Sequence, residues 1–203
     1  LGAPAESKAR GGAGGFVEKS FSEYHMYTLG RPSTVKDNQV KQIEFTNNVD
    51  VKCRKIFEYK GSSARWRGYR NTNRNYNSSN KKVNVFIEFD NKKDNNLGIP
   101  LPAGKIRVYK KDKADGSLEF IGEDRIDHTP KDEKVKILIG NAFDIVGERK
   151  QTDFKRPTEH SIVETYEIKL RNHKEEAATI HVIENLFRWS NWQITEKTDE
   201  YEK

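Results

Sequence analysis

Three side chains that could carry acid–base chemistry lie close together in the middle of the chain. Asp124 and Asp127 precede His128. An imidazole oriented by a carboxylate can act as a general base near neutral pH, so a hydrolase-like enzyme with its site at these three residues is one hypothesis. The same residues stand just before Pro130 and are also typical of a polar turn, and our leading prediction therefore assigns no catalytic residue.

The sequence offers no pattern for a metal or a cofactor. Its five histidines form neither a two-histidine helical motif nor a His-x-His pair, and one cysteine excludes an internal disulfide and a multi-cysteine zinc site. Phosphate-binding glycine loops, dinucleotide fingerprints and nucleophile elbows are missing too. We predict no cofactor and no metal. Cys53 alternates with apolar residues, so we expect a buried, small hydrophobic side chain there.

The most unusual composition lies in residues 51–82. Ten basic side chains face a single acid, Glu58, which gives a local charge of +9 in a chain of net charge +6. Aromatic residues alternate with its arginines, and this combination dominates protein interfaces and also tracks phosphate backbones and acidic glycans. We predict partner contacts through Arg65, Trp66, Arg67, Tyr69, Arg70 and Tyr76. Anion or single-stranded nucleic-acid binding through this loop is a third hypothesis. The alternative is a solvated loop that binds nothing.

A further candidate group lies in segment 140–149. Gly140 and Gly147 bracket it, which indicates a bulge or bend that needs positive φ. Asp144, Glu148 and Arg149 could hold a ligand there, or an acid and the arginine could pair across the bend. We favour the pairing.

The elements that must position these residues are strands. Ile plus Val outnumber Leu by 27 to 8, and Asp115-Gly116 predicts a hairpin. Side chains alternate with period two in segments 49–59, 83–89, 106–108, 135–139, 166–170 and 178–182. We predict an all-β, two-sheet antiparallel β-sandwich of immunoglobulin-like or fibronectin-like topology, with a closed barrel as the alternative.

A chain of 203 residues suits one large domain or two small ones. We predict a flexible Gly-rich linker or cloning remnant at 1–20, one sandwich domain at 21–196 with the basic loop at 61–82, and a tail at 197–203. Prolines in segment 91–102 leave open a division into two smaller sandwiches there. No apolar run approaches the roughly 18 residues that span a bilayer, so we predict no transmembrane segment.

Several blocks of the sequence are similar to one family. They are 21–29, 31–32, 37–42, 101–109, 120–124, 128–130, 140–149 and 170–174, together with Trp192. In these blocks the chain resembles the C-terminal domain of unknown function of mucoidy-inhibitor-A-like bacterial proteins. The basic stretch 65–80 departs from the family pattern, and we treat it as a variable insertion.

The resemblance implies an exported bacterial protein, periplasmic, secreted or envelope-associated, in which other regions precede this domain. A start without methionine agrees with that expectation. The family offers no activity and no site residues to carry over. We therefore predict a non-enzymatic interaction or structural module that binds a protein or cell-envelope partner through loops or strand edges.

Overall fold

The computed structural model of this protein describes residues 16–62, 80–186 and 191–202. Regular structure in these ranges is almost entirely β-strand, with one short 3-10 turn at Lys93–Asn95 and no α-helix. The prediction of an all-β protein is confirmed. The strands are β1 (Phe16–Phe21), β2 (Tyr24–Leu29), β3 (Cys53–Tyr59), β4 (Lys82–Asp90), β5 (Gly104–Lys111), β6 (Leu118–Ile126), β7 (Lys134–Thr158), β8 (Ser161–Asn172) and β9 (Ile180–Val182).

These strands form three sheets. Strands β8, β7, β4, β3 and β9 lie side by side in that order, while β1 pairs with β2 and β5 pairs with β6. β7 and β8 pair antiparallel, but β9 pairs with β3 in parallel, with Phe57 opposite Ile180. The expectation of purely antiparallel sheets is wrong for this pair. A long stretch of chain connects β3 to β9, and a long connection allows two strands to pair in either orientation.

The described residues group into two compact units. The first contains 16–53, 89–104 and 127–135. Its β1–β2 hairpin packs on Phe45, whose ring centroid lies 5.7 Å from that of Phe16 and 5.1 Å from that of Tyr27. The Tyr27 hydroxyl donates to the Pro100 carbonyl oxygen at 3.1 Å. Strand β1 thus includes residues 16–20, which the sequence placed in a linker; residues 1–15 lie outside the described ranges.

A buried asparagine organises the loop of the first unit. The Asn91 side chain donates to the carbonyls of Ile99 and Pro130 at 2.7 and 2.9 Å, and it accepts the Gly98 N–H at 3.0 Å. Asn91 is fully buried, so these bonds satisfy every polar atom of its amide except one lone pair. The Asn-rich turn is therefore a loop clamp built from side-chain amides, as its turn chemistry favours.

The second unit contains the remaining described residues and the larger core. Tyr59, Val83 and Ile145 are its buried centre. Half-buried side chains pack against them: Phe57, Ala142, Ile168, Ala178 and Ile180. They come from all strands of the five-stranded sheet or from the turn just before β9, so burial of this face holds the sheet together.

Two glycines shape β7 for different reasons. Gly140 has φ +143°, which confirms the positive φ predicted there, and the alternation of burial along β7 is interrupted around it. Gly147 has no positive φ. A Cβ at this position would lie 2.0 Å from Cε2 of Tyr59, so glycine is needed because the ring occupies the space of a side chain. The positive-φ expectation is therefore wrong for Gly147.

The predicted strands are found, with three changes of detail. The alternation that starts at Val49 becomes a strand only at Cys53, and Val49 is exposed. Cys53 is exposed rather than buried, because it opens β3 where the short β9 pairs only with Phe57–Tyr59. The β5–β6 hairpin forms, but through a longer connection, closed by the Asp112 N–H donating to the Ser117 carbonyl at 2.8 Å, with Gly116 at φ +78°.

Candidate interaction site

The six predicted contact residues Arg65, Trp66, Arg67, Tyr69, Arg70 and Tyr76 lie outside the described residues. The base of their loop is described. The Asn80 N–H donates to the Gly61 carbonyl at 3.0 Å, and the Tyr59 hydroxyl donates to the Asn80 carbonyl at 2.7 Å. The two ends of the basic loop therefore leave the five-stranded sheet side by side.

The proposed acid–base residues are engaged with backbone. Asp124, on β6 in the second unit, accepts the N–H groups of Arg125 and Leu138, both at 2.8 Å, on its two carboxylate oxygens. In the first unit, His128 Nδ1 accepts the Ala103 N–H at 3.3 Å, and Asp127 and His128 are exposed. The side chains of Asp124 and His128 thus have local backbone partners that account for their positions.

Arg149 and its neighbours form a buried polar cluster in the second unit. The Arg149 side chain is 1% exposed, and its Nε donates to both carboxylate oxygens of Glu184, at 3.0 and 2.8 Å. The guanidinium stacks on Tyr166, 3.7 Å from the ring centroid. Burial opposes the charge, but Glu184 outweighs it and raises the pKa of Arg149. The arrangement is a structural clasp that ties the chain after β9 to β7.

The ion pairing predicted within segment 140–149 takes a different form. Glu148 does not meet Arg149, since neighbouring residues of a strand point to opposite faces. Glu148 accepts from Arg171 of β8 at 3.0 Å on the exposed face, while Arg149 pairs with Glu184 on the buried one. Asp144 is exposed, and its carbonyl accepts the His173 N–H at 2.8 Å. Glu148 and Arg149 therefore pair with other segments, β8 and the segment after β9 respectively, rather than with each other across the bend.

A second buried carboxylate is held by lysines. Glu58 on β3 lies 2.5 Å from Nζ of Lys136 and 3.1 Å from Nζ of Lys60. Burial by itself would raise the pKa of Glu58, but the hydrogen bonds and charges of the two lysines outweigh it and hold that pKa below its usual value. Lys136 also lies 4.2 Å from the centroid of the Phe86 ring. This pair is a structural feature of the sheet.

The β5–β6 hairpin carries an exposed aromatic face. Tyr109 is 50% exposed, Phe120 53% and Leu118 67%, and the two ring centroids are 5.6 Å apart in an edge-to-face arrangement. Leu118 and Phe120 are two residues apart on β6 and so point the same way. We call Tyr109, Leu118 and Phe120 the aromatic face. Large apolar side chains grouped in this way on a surface mark interaction sites.

Charged residues border the aromatic face. Glu123 of β6 accepts from Lys105 at 2.6 Å and from Arg107 at 3.2 Å, both on β5. Hydrogen bonds from the lysine and the arginine lower the pKa of Glu123. An apolar centre with a charged, hydrated rim is the usual anatomy of a protein interface.

Sequence reasoning missed the aromatic face. Alternation assigned Ile106 and Val108 of β5 to the core side of the hairpin, and that assignment left Tyr109 outside. Its position opposite the core side was a usable signal. Sequence reasoning also missed the β1–β2 hairpin. Its turn at Ser22 and Glu23 lacks the usual Asn-Gly or Asp-Gly pair, and the flanking residues Phe21 and Tyr24 are 67% and 75% exposed.

Among residues 16–62, 80–186 and 191–202, no three His, Cys, Asp or Glu side chains converge as metal ligands. The same ranges contain no helix with the length and hydropathy needed to cross a membrane. A scan of protein-family models, a search of curated proteins and a search of solved structures each find no match to this chain.

Proposed function

We propose that this chain is a non-enzymatic interaction module of an exported bacterial protein, which binds a protein or cell-envelope partner. The aromatic face is the observation that carries the proposal. Three large apolar side chains at half exposure or more cost free energy in water, and a partner that covers them recovers it at about 25 cal/mol per Å² of apolar surface. The extracytoplasmic location is supported by the sequence blocks described above.

The proposal includes a two-layer sandwich of immunoglobulin-like or fibronectin-like type within the second unit. Support comes from the burial pattern of β5, in which every second residue from Gly104 to Val108 is half-buried and the residues between them are exposed. The half-buried residues Ile106 and Val108 supply the apolar side of the smaller sheet.

The basic loop is the second contact surface in this proposal. Tryptophan, tyrosine and arginine contribute most of the binding energy at protein interfaces, and the loop carries all three types. A deletion of 63–79 can be closed by a short Gly-Ser link, since Gly61 and Asn80 are already hydrogen-bonded. We expect this variant to fold and to lose partner binding.

Site-specific photo-crosslinking tests the proposal. A photo-crosslinking amino acid is placed at Leu118, in the aromatic face, or at Val40, which is 98% exposed outside any strand. Each protein is exposed to light in a bacterial envelope fraction, and adducts are identified by mass spectrometry. We expect one defined adduct from position 118 and none from position 40. The same adducts from both positions, or none from either, would contradict the proposal.

The deletion separates the two surfaces and the third hypothesis. If the loop contributes, the deletion variant with the crosslinker at Leu118 gives less of the same adduct. If nucleic acid is instead retained by the intact chain, and is released as salt rises, the basic loop binds anions through counterion release. That result together with an absent protein adduct would replace the proposed function.

A further inference from the structure

Two lysines of the second unit converge on one aromatic ring. Nζ of Lys55, on β3, lies 5.0 Å from the centroid of the Phe57 ring, and Nζ of Lys174, just after β8, lies 5.4 Å from it. Phe57 is half-buried and packs against the core cluster, so its ring is held in place. The sequence separates these two lysines by more than a hundred residues, and the sheet brings them together.

The positive charges of this group repel one another, and the carboxylate of Glu176 balances them only in part. Neither Lys55, Lys174 nor Lys110 of β5 forms a salt bridge with another described residue. Burial lowers the pKa of Lys55. The positive charges of Lys174 and Lys110 lower the pKa of Lys55 further, whereas the carboxylate of Glu176 raises it. Like charges held together in this way repel, and a bound anion relieves the repulsion.

Lysines elsewhere in the second unit show the contrast. Lys60 and Lys136 share the carboxylate of Glu58, and Lys105 pairs with Glu123. At the Phe57 ring, no described carboxylate forms a salt bridge with Lys55 or Lys174, although the charge of Glu176 acts on Lys55. Ammonium groups are point charges with three donors each, and they bind phosphate and sulfate oxygens without a fixed geometry.

We propose that Lys55, Lys174 and Phe57 form a binding site for a small oxyanion. The ligand is a phosphate or sulfate group whose oxygens accept from the two ammonium groups, and whose organic part lies on the Phe57 ring. This site uses none of the residues of the aromatic face and none of the six predicted loop contacts. It therefore stands or falls independently of the proposed function.

The test is an NMR titration of the full chain with inorganic phosphate and, separately, inorganic sulfate, at about pH 8 where both carry two charges. Sodium chloride at matched ionic strength is the blank. We expect saturable shifts of the Phe57 ring and of the Lys55 and Lys174 side-chain signals with both anions. Tighter binding of phosphate assigns a phosphate-bearing ligand, and tighter binding of sulfate assigns a sulfate-bearing one.

Variants separate a site from general attraction to a basic protein. Lys55→Gln and Lys174→Gln are each expected to weaken binding about fivefold or more, since each removes a direct partner of the anion. Lys169→Gln, on exposed β8, changes the net charge equally and is expected to leave the affinity unchanged. Glu176→Gln is expected to tighten binding, because it removes the opposing carboxylate.

Two results would overturn the site. One is the absence of saturable shifts at phosphate and sulfate concentrations of tens of millimolar. The other is an equal loss of affinity in Lys169→Gln and Lys55→Gln, which would show attraction by net charge alone. Circular dichroism of each variant checks that the substitution leaves the fold intact.

Discussion

At the scale of single residues, the core of this protein contains a charged side chain, that of Arg149. Arg149 is 2% exposed, and Gly147 and Gly61 leave room for Tyr59 and for the arginine stem respectively. A sequence pattern can predict that position 149 faces the same side as Ile145. It cannot predict that an arginine is buried there, because the compensating Glu184 comes from a distant segment that only folding brings near.

Removing the partner of Arg149 tests the clasp. Glu184→Ala leaves a buried guanidinium without its carboxylate, and we expect a loss of about 3 kcal/mol in the free energy of unfolding. The double variant Arg149→Met/Glu184→Leu removes both charges and is expected to lose less. Urea denaturation of both proteins gives the comparison. A Glu184→Ala protein within about 0.5 kcal/mol of the original would show that the clasp does not stabilise the fold.

The contact of Gly147 with Tyr59 gives a second test. Gly147→Ala drives a methyl group into the ring, so we expect a loss of about 2–3 kcal/mol. Gly104→Ala is the matched control, since the nearest atom to its new Cβ is the Pro102 carbonyl oxygen at 4.0 Å. The melting temperatures of both variants, measured by thermal unfolding, test this expectation. Equal melting temperatures would mean that the ring moves aside at no cost.

Glu58 predicts a pH dependence. Its pKa is lower in the folded protein than the unfolded value of 4.5, so the ionised form stabilises the fold above that pH. This contribution is lost as the pH falls through the folded pKa, because the unfolded chain then binds the proton more readily. The stability difference between the original protein and Glu58→Gln should therefore be largest near neutral pH and shrink in acid. A difference that does not change with pH would contradict this assignment.

At the scale of elements, the strands of the second unit could be predicted, but the length of β7 and the partner of β9 could not. Apolar residues such as Val85, Ile137 and Ile168 alternate with polar neighbours, and this period of two can be read from the sequence alone. The extent of β7 and the parallel pairing of β9 depend on contacts between distant segments. The β1–β2 hairpin stayed hidden because neither its turn residues nor its exposed aromatics follow the usual hairpin pattern.

The loop clamp of the first unit has its own test. Asn91→Ala leaves the Ile99 and Pro130 carbonyls and the Gly98 N–H without their partner, and each orphaned buried group costs about 1–3 kcal/mol. Asn48→Ala removes an exposed amide that donates to the Thr46 hydroxyl, so it should change little. Hydrogen exchange at Gly98 reports the effect, with faster exchange expected only in Asn91→Ala. Equal protection in both variants would show that the clamp is dispensable.

At the scale of the whole molecule, the sequence predicted an all-β protein whose basic charge is concentrated in residues 51–82. What it could not predict is which apolar side chains the fold leaves uncovered. Phe120 and Val83 are both large apolar residues on strands, yet one is half exposed and the other fully buried. Only the pairing of β5 with β6 outside the large sheet distinguishes them.

The most direct test of the interaction proposal is the affinity for the partner that crosslinking at Leu118 identifies. Binding of that purified partner is measured with the original chain, with Tyr109→Ser/Phe120→Ser, and with the control Val163→Ser/Tyr201→Ser, which removes exposed apolar groups elsewhere. We predict about tenfold weaker binding or more for the first variant, and unchanged binding for the control. Equal affinities of all three proteins would contradict the assignment of the aromatic face as the interaction site.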